Sequence, residues 1–127
     1  MERWIYYNPN PSGRRAGDCT VRAICLATNQ EWEKIFAALT AYGFMMCDMP
    51  SANHVWGKYL KKCGFCRYII DDHNQDIYTV NDFCRDNPAG TYILAIDGHV
   101  VCVKDGYYYD TWDSGQEEPV YYWTKGE

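Results

Sequence analysis

Apolar residues recur at helical spacing through the first half of the chain. The spacing predicts a first helix over about residues 19–27, with Asp18 as its N-cap. A second helix is predicted between Asn29, as its N-cap, and Gly43, where a glycine ends the apolar face. A third is predicted from residue 51 or 52 to Cys63. Three consecutive helices are therefore expected before the pattern changes.

The second half of the chain alternates between apolar and polar residues, which is typical of strands. Strands are predicted over residues 65–70, 91–96, 99–104, 107–112 and 120–123. Asp97-Gly98 and Asp105-Gly106 favour two-residue turns, so three of these strands should form consecutive hairpins. Because helices come first and hairpins follow, we expect an α+β fold in which N-terminal helices pack on a C-terminal antiparallel β-sheet.

The remaining segments are shorter and more polar. Thr79 and Asp82 have the spacing of a capping box, which predicts a short helix that ends at Asn87, before a proline. Residues 71–76 predict a polar loop. Residues 1–16 carry prolines and turn formers, and they predict an extended lead-in with turns.

The composition is that of a globular domain. The chain has 127 residues, of which 47% are hydrophobic and 23% charged, so a single domain over residues 1–127 is expected. The same balance excludes intrinsic disorder and a coiled coil. Aromatic residues make up 17% of the chain, which leaves rings to line a groove once a core is filled.

Charge and targeting features exclude two kinds of partner. The net charge is -5 and basic residues form no run longer than a pair, so nucleic-acid binding is not expected, because phosphate neutralisation needs a basic face. No apolar stretch approaches the roughly 18 residues that cross a bilayer, so no membrane partner is expected. The N-terminus lacks the basic and then apolar order of a signal peptide, which favours a cytoplasmic protein.

Seven cysteines in a cytoplasmic protein should be reduced thiols rather than a disulfide framework. Cys63 and Cys66 have the spacing of a metal-binding pair, and with Cys47 and Cys84 they would offer four thiolates to zinc. A second close pair is missing, so we expect no metal and no other cofactor, and interpret Cys63 and Cys66 as ordinary buried thiols. Three cysteines occupy apolar positions and are predicted to fill the core: Cys25, Cys84 and Cys102.

Cys19 is the main candidate for chemistry. Its thiol would lie in the first turn of a helix, where free backbone N–H groups and the positive end of the helix dipole favour the thiolate. The alternative is a small residue packed where a loop enters a helix. A nucleophilic cysteine needs a base, and of the three histidines, His73 lies in a polar loop and His54 is interpreted as a surface residue. His99 opens a strand at a rim, where an imidazole is rigid and still reaches solvent.

Strand register selects the carboxylate that would orient His99. If the turn before Tyr107 has two residues, Lys104 pairs with Tyr107, and His99 and Asp110 share one face in diagonal positions about 7 to 8 Å apart. Asp110 is therefore the predicted orienting acid. Asp113 would point to the opposite face, and is the second choice in case a bulge shifts the register.

Cys19, His99 and Asp110 thus follow one another in the order nucleophile, base and orienting acid. The segments that carry them are Gly17-Asp18-Cys19, Gly98-His99-Val100-Val101 and Asp110-Thr111-Trp112. Together they resemble the papain-like cysteine peptidases, and are most similar to compact bacterial and phage branches such as the bacteriocin-processing peptidases. The resemblance implies a papain-like fold in which Cys19 attacks an acyl carbon, His99 holds its proton, Asp110 fixes the imidazole tautomer and Trp112 shields the acid.

The resemblance also implies an oxyanion hole beside Cys19, whose own backbone N–H would be one donor. Many papain-like enzymes place a glutamine about six residues before the cysteine as the second donor. This chain has Gly13 there, so the resemblance leaves Asn8, Asn10 or Ser12 to take that place.

The expected function is hydrolysis of an amide bond, peptide or isopeptide, in a peptide or protein substrate. The same triad also serves amidases, deamidases and acyl transferases. Residues 43–50, rich in methionine, and residues 107–109, all tyrosines, would either border a substrate groove or form an irregular cover over the core. The alternative function is a catalytically weak or inactive binding module that uses the same groove to hold a partner.

Overall fold

The structure, a computed structural model, describes residues 2–70 and 77–125, and confirms the α+β class. Residues 71–76, where a polar loop is predicted and His73 lies, are outside the described residues. The helices are α1 (Cys19–Thr28), α2 (Trp32–Met46), α3 (Asn53–Lys62) and α4 (Val80–Asp86). The strands are β1 (Trp4–Tyr6), β2 (Cys66–Ile69), β3 (Thr91–Ile96), β4 (His99–Lys104), β5 (Tyr107–Asp110) and β6 (Pro119–Thr124).

The strands form a mixed sheet in the order β1-β5-β4-β3-β6-β2. The expectation of a purely antiparallel sheet is wrong at one edge, because β1 lies parallel to β5 with Trp4 opposite Tyr108. The residues on either side of this strand also bind β5 and the turn before it. Arg3 donates to the carbonyl of Gly106, and the Tyr7 N–H donates to the carbonyl of Asp110.

The two central hairpins form as predicted, and the second has the predicted register. Thr91 pairs with Lys104 across β3 and β4, and Lys104 pairs with Tyr107 across the next turn. Asp105 and Gly106 both have positive φ, at 52° and 83°, as a two-residue hairpin turn of the favoured twist requires. β5 ends at Asp110, two residues earlier than predicted.

The first two helices depart from prediction at their ends. Asp18 occupies the N-cap position of α1, but its side chain makes no capping hydrogen bond and instead pairs with Arg22. Asn29 is not the N-cap of α2: it is the C-cap of α1, in the left-handed conformation with φ of 56°. The N-cap of α2 is Glu31. Gly43 does not end α2, which continues to Met46. The glycine is needed there for another reason: the backbone packs closely against it, and a Cβ would lie 2.6 Å from the carbonyl oxygen of Asp48.

The other predicted helices agree with the structure. α3 ends before Gly64, whose φ of 97° suits glycine alone among common residues. α4 begins at the predicted capping box, in which the Thr79 hydroxyl accepts from the backbone of Asp82 and the Asp82 carboxylate accepts from the backbone of Thr79. No helix among residues 2–70 and 77–125 has the length and apolar composition needed to cross a bilayer.

The sheet lies between two apolar clusters. Alternate residues of β3 point to opposite faces, so Ile93 packs with α1, α2 and α3, while Leu94 packs with α4. β4 divides in the same way, with Cys102 on the first face and Val103 on the second. The predicted core cysteines Cys25, Cys84 and Cys102 are all buried, which confirms that interpretation. This packing holds α1, which begins at the candidate nucleophile Cys19, against β4, which begins at the candidate base His99.

Candidate active site

A cleft of about 900 Å³ opens between the start of α1, the turn that joins β3 to β4, and the loop that follows β5. Cys19 and His99 both line it, together with Trp112. Its aromatic lining comes from Trp112 and Tyr121 rather than from the tyrosines of residues 107–109, where Tyr108 is buried in the core. Ser51 and Asn53, immediately after the methionine-rich segment, complete one wall.

Cys19 is the first residue of α1 and is half-buried at the cleft floor. Burial raises the pKa of its thiol, but a hydrogen bond with His99, the charge of His99, a hydrogen bond with the Val100 backbone and the charge of Arg22 outweigh burial. The pKa of Cys19 is therefore lowered below the ordinary thiol value. In contrast, burial raises the pKa of Cys25 to about 12.

His99 begins β4 and contacts both partners that a triad requires. Its Nε2 lies 2.6 Å from Oδ2 of Asp110, and its imidazole shares a hydrogen bond with Cys19. Burial lowers the pKa of His99, but the bonds to Asp110 and Cys19 and their negative charges raise it overall to about 9. The Trp112 ring packs on the imidazole, with centroids 4.8 Å apart, so Trp112 covers His99 itself.

Asp110 is buried and accepts four hydrogen bonds. Oδ2 accepts from His99 and from the Ser114 hydroxyl at 2.7 Å. Oδ1 accepts from Nη2 of Arg22 at 3.0 Å and from the Thr111 N–H at 2.8 Å. Burial raises the pKa of Asp110, but the bonds to His99 and Ser114, the His99 charge and the Thr111 N–H lower it overall. The carboxylate therefore stays ionised beside the imidazole.

Asp113, the second choice for the orienting acid, has a different partner. Its Oδ1 accepts from the Tyr108 hydroxyl and from the N–H of Gly115. The register is not shifted by a bulge between β4 and β5, so it is Asp110 that reaches His99.

The three oxyanion candidates lie in the lead-in, and their donors are engaged there. The Asn8 amide donates to the carbonyls of residues 13 and 14, and the Ser12 hydroxyl donates to Asn10. The Asn10 amide donates to Oδ2 of Asp18 at 3.3 Å. All three side chains therefore donate to other groups of the protein, and none is placed as an oxyanion donor to the cleft.

Backbone donors at the start of α1 are better placed. The first helical hydrogen bond of α1 is from the N–H of Arg22 to the carbonyl of Asp18, at 2.9 Å, so the N–H groups of Cys19, Thr20 and Val21 precede the helical ladder. The Asp18 side chain does not cap them. The N–H of Cys19 therefore remains a donor beside its own sulfur, where an oxyanion would form.

Two features of this site escaped sequence reasoning. Arg22 is buried and joins Asp18 to Asp110. An acid and an arginine four residues apart have helix-pairing spacing, so the sequence did contain a sign of this contact. Ser114 gives no such sign, because Asp113-Ser114-Gly115 is typical of a surface turn.

The remaining histidine and cysteine candidates lie apart from the cleft. His54 is exposed and pairs with Asp48 at 2.8 Å. The interpretation of Cys63 and Cys66 as buried thiols is wrong, because Cys63 is half-buried and Cys66 exposed on the edge strand β2. Within the described residues, no group of three or more His, Cys, Asp or Glu side chains is arranged to hold a metal ion.

In comparisons with protein-family models, with curated proteins and with solved structures, nothing matches this chain. The geometry of the cleft therefore carries the functional argument. It combines a thiol of lowered pKa, an imidazole of raised pKa and an ionised carboxylate in one hydrogen-bonded series.

Proposed function

We propose that the protein is a papain-like cysteine hydrolase that cleaves an amide bond, peptide or isopeptide, in a peptide or protein substrate. One observation carries the proposal: the His99 imidazole bonds the Asp110 carboxylate at 2.6 Å and lines the same open cleft as the Cys19 thiol, whose pKa it lowers. A nucleophile bonded to a base that is itself oriented by an acid is the general arrangement for covalent acyl transfer.

The reaction begins from a thiolate and an imidazolium. The Cys19 sulfur attacks the carbonyl carbon of the scissile amide, and the oxygen becomes an oxyanion that accepts from the N–H of Cys19. His99 gives its proton to the leaving nitrogen as the C–N bond breaks, which leaves a thioester on Cys19. His99 then takes a proton from a water molecule that attacks the thioester, the C–S bond breaks, and the carboxylic acid product leaves as the thiolate and imidazolium are restored.

The supporting residues favour this charge distribution. Asp110 remains ionised and holds the imidazolium by its Nε2, which directs the other side of the ring toward Cys19. Trp112 covers the imidazole and limits access of water to the ion pair. The proposed location is the cytoplasm, where free thiols such as Cys19 are kept reduced.

Alkylation of Cys19 at different pH values tests the proposal. Iodoacetamide labelling of each thiol, followed by peptide mass mapping, compares Cys19 with the exposed Cys47 and Cys66 in the same molecule. Because its pKa is lowered, Cys19 should label faster than the two reference thiols well below pH 8.5. The variant His99→Ala should remove that difference and leave the reference thiols unchanged.

The opposite result is equally clear. If Cys19 labels no faster than Cys66 at any pH, and His99→Ala makes no difference, the thiolate–imidazolium pair does not form and the hydrolase proposal fails. If the pair forms, a library of peptides and isopeptides, with Cys19→Ala as the inactive control, identifies the bond that is cut.

The second candidate function is a binding module that retains the cleft without turnover. The engagement of Asn8, Asn10 and Ser12 in the lead-in favours it, because a second side-chain oxyanion donor is then not supplied from that segment. Loss of one such donor typically costs about 2.7 to 4 kcal/mol in the transition state. Tight binding of a peptide by both wild type and Cys19→Ala, with no cleavage by the wild type, would favour the module.

A further inference from the structure

Arg22 occupies a buried position between two carboxylates and one helical turn beyond Cys19. We propose that Arg22 is a positioning residue for the proposed triad: its guanidinium, anchored by Asp18, fixes the carboxylate of Asp110 and, through it, the ring of His99. This inference rests on the proposed function for its meaning, but its test measures His99 directly and needs no substrate.

The contacts of Arg22 are those of a fork. Nη1 pairs with Oδ1 of Asp18, and Nη2 donates to Oδ1 of Asp110 at 3.0 Å. The three side chains are nearly inaccessible, with exposed fractions of 5% for Arg22, 8% for Asp18 and 1% for Asp110. A planar guanidinium with both ends occupied holds its partners in one relative orientation, which a flexible lysine ammonium does not.

The position of Arg22 in α1 couples two distant parts of the chain. Cys19 and Arg22 are three residues apart on one rigid helix, so the fork and the nucleophile move together. Asp110 lies 88 residues later, at the end of β5. The Arg22 contact therefore sets the place of the orienting acid relative to the helix that carries the thiol.

The outer end of the fork is itself held. Oδ2 of Asp18 accepts from Nε1 of Trp32 at 2.9 Å and from the Asn10 amide at 3.3 Å. Asp18 is therefore fixed from α2 and from the lead-in as well as from its own helix. This gives Asn10 a supporting place behind the site instead of the oxyanion place that the family resemblance implies.

The inner end leaves Asp110 one orientation. Each carboxylate oxygen accepts two hydrogen bonds, Oδ1 from Arg22 and the Thr111 N–H, and Oδ2 from His99 and Ser114. Rotation of the carboxylate would break bonds on both oxygens. Removal of Arg22 leaves Oδ1 with a single partner, and the carboxylate then has freedom to turn away from His99.

A positioning role and a purely electrostatic one predict opposite changes in the pKa of His99. If Asp110 stayed in place, removing the positive charge of Arg22 would remove a repulsion on the imidazolium, and the pKa of His99 would rise. If Arg22 positions Asp110, its removal weakens the bond to His99, and the pKa falls from about 9 toward the ordinary 6.5. The other charged and titratable groups around this series are Asp18, Cys19 and the high-pKa Tyr7 hydroxyl, and all three are present in every variant. The Arg22 charge itself lowers the pKa of Cys19 and of Tyr7, so Arg22→Lys, which keeps that charge, isolates the positioning effect.

The test is an NMR titration of the His99 imidazole nitrogens in the wild type, Arg22→Lys and Arg22→Gln. His54 and His73 in the same samples serve as references. We expect the pKa of His99 to fall by one unit or more in Arg22→Gln, and by a smaller amount in Arg22→Lys, whose ammonium keeps the charge but reaches one carboxylate at a time. Cys19 labelling near pH 6 should fall about tenfold for each unit by which the thiol pKa rises.

Arg85→Gln is the matched control, because Arg85 is an exposed arginine that also bridges two carboxylates, those of Asp82 and Asp86. It should leave the His99 titration unchanged. A pKa of His99 that stays level or rises in Arg22→Lys overturns the inference, and this variant decides the question even if Arg22→Gln does not fold. If Cys19 of the wild type labels like Cys66 while Arg22→Lys still lowers the His99 pKa, the hydrolase proposal fails and the positioning role stands.

Discussion

Asp110 and Asp113 are two carboxylates three residues apart, and they have different hydrogen-bond partners and different roles. Asp110 is buried between Arg22 and His99. Asp113 accepts from the Tyr108 hydroxyl and the N–H of Gly115, which holds the loop after β5. Both are aspartates in the same turn of chain, so their substitution to asparagine gives a matched pair in which only one member touches the imidazole.

The variant Asp110→Asn should lose the reactivity of Cys19. An amide neither carries charge nor accepts from both Arg22 and His99 as a carboxylate does, so the imidazolium loses its partner and the pKa of Cys19 rises. We expect at least a tenfold loss of Cys19 labelling near pH 6. Arg22 is left as a half-paired buried charge, which typically costs about 3 to 5 kcal/mol of unfolding free energy. Iodoacetamide labelling and denaturant unfolding measure the two effects.

Asp113→Asn is the control for that variant. It should leave the pH profile of Cys19 labelling unchanged, because its carboxylate bonds Tyr108 rather than His99. Equal loss of labelling in both variants would mean that the loop as a whole, and not the Asp110 carboxylate, supports the thiolate.

At the scale of elements, the loop between β5 and β6 matters most, because it carries Trp112 and Ser114 to the site. The first turn of α4 anchors this loop: the Val80 N–H donates to the carbonyl of Glu117 at 2.9 Å, and the Asn81 N–H to the carbonyl of Gly115 at 3.0 Å. These are helix N-terminal donors that lack intrahelical acceptors. The N-terminus of α4 thus supports the loop that carries Trp112 and Ser114.

Gly115→Ala should damage this anchoring. A Cβ at Gly115 would collide with the Tyr108 hydroxyl and the Asn81 amide, so the loop must shift. Overpacking of this kind typically costs about 1 to 3 kcal/mol, and the shift should displace Trp112 from His99 and slow Cys19 labelling. Gly17→Ala is the control for stability, since a Cβ there meets open space. An unfolding free energy equal to that of the wild type in Gly115→Ala would show that the loop is not held as described.

The elements that the sequence predicts well are those with local signals. The hairpin register follows from turn dipeptides, and α4 from its capping box, because both depend on neighbours in sequence. β1 was missed because three residues carry little periodicity and their partner, β5, lies about a hundred residues away. Gly43 predicts a helix end from sequence, because its close approach to Asp48 is visible only once the chain has turned back.

The candidate site divides in the same way. The contact of Asp110 with His99 follows from strand alternation and a short turn, which sequence contains. The bond of Arg22 to Asp110 depends on how α1 packs on the sheet, and a charged residue on a helix is ordinarily expected to face solvent. The oxyanion candidates follow from distance along the chain alone, whereas in the structure the Asn8 amide and the Ser12 hydroxyl donate to groups within residues 1–16.

For the whole molecule, the proton count of the site links its chemistry to stability. The raised pKa of His99 alone would give stability that is complete below pH 6.5 and lost as pH rises through about 9. The lowered pKa of Cys19 alone would give stability that is complete above pH 9.0 and lost as pH falls through that lowered value. Between pH 6.5 and 9.0, the native pair holds one proton, on the His99 imidazolium, while Cys19 is a thiolate. The unfolded pair also holds one proton, on the Cys19 thiol, while the imidazole is neutral. The pair therefore adds no slope to stability in that range.

The variant Cys19→Ala should reveal the hidden slope. Its His99 keeps Asp110 but loses Cys19, which also raises the His99 pKa. Between pH 6.5 and that reduced His99 pKa, the native state therefore binds one proton that the unfolded state has released. Unfolding free energy should then fall, relative to the wild type, by up to about 1.4 kcal/mol per pH unit until His99 itself titrates. Denaturant unfolding across pH 6.5 to 9.0 measures it, with Cys66→Ala, an exposed thiol, as the control that stays parallel to the wild type. If the wild type loses stability as steeply as Cys19→Ala, the native thiol is protonated, because only a thiolate offsets the proton held on His99.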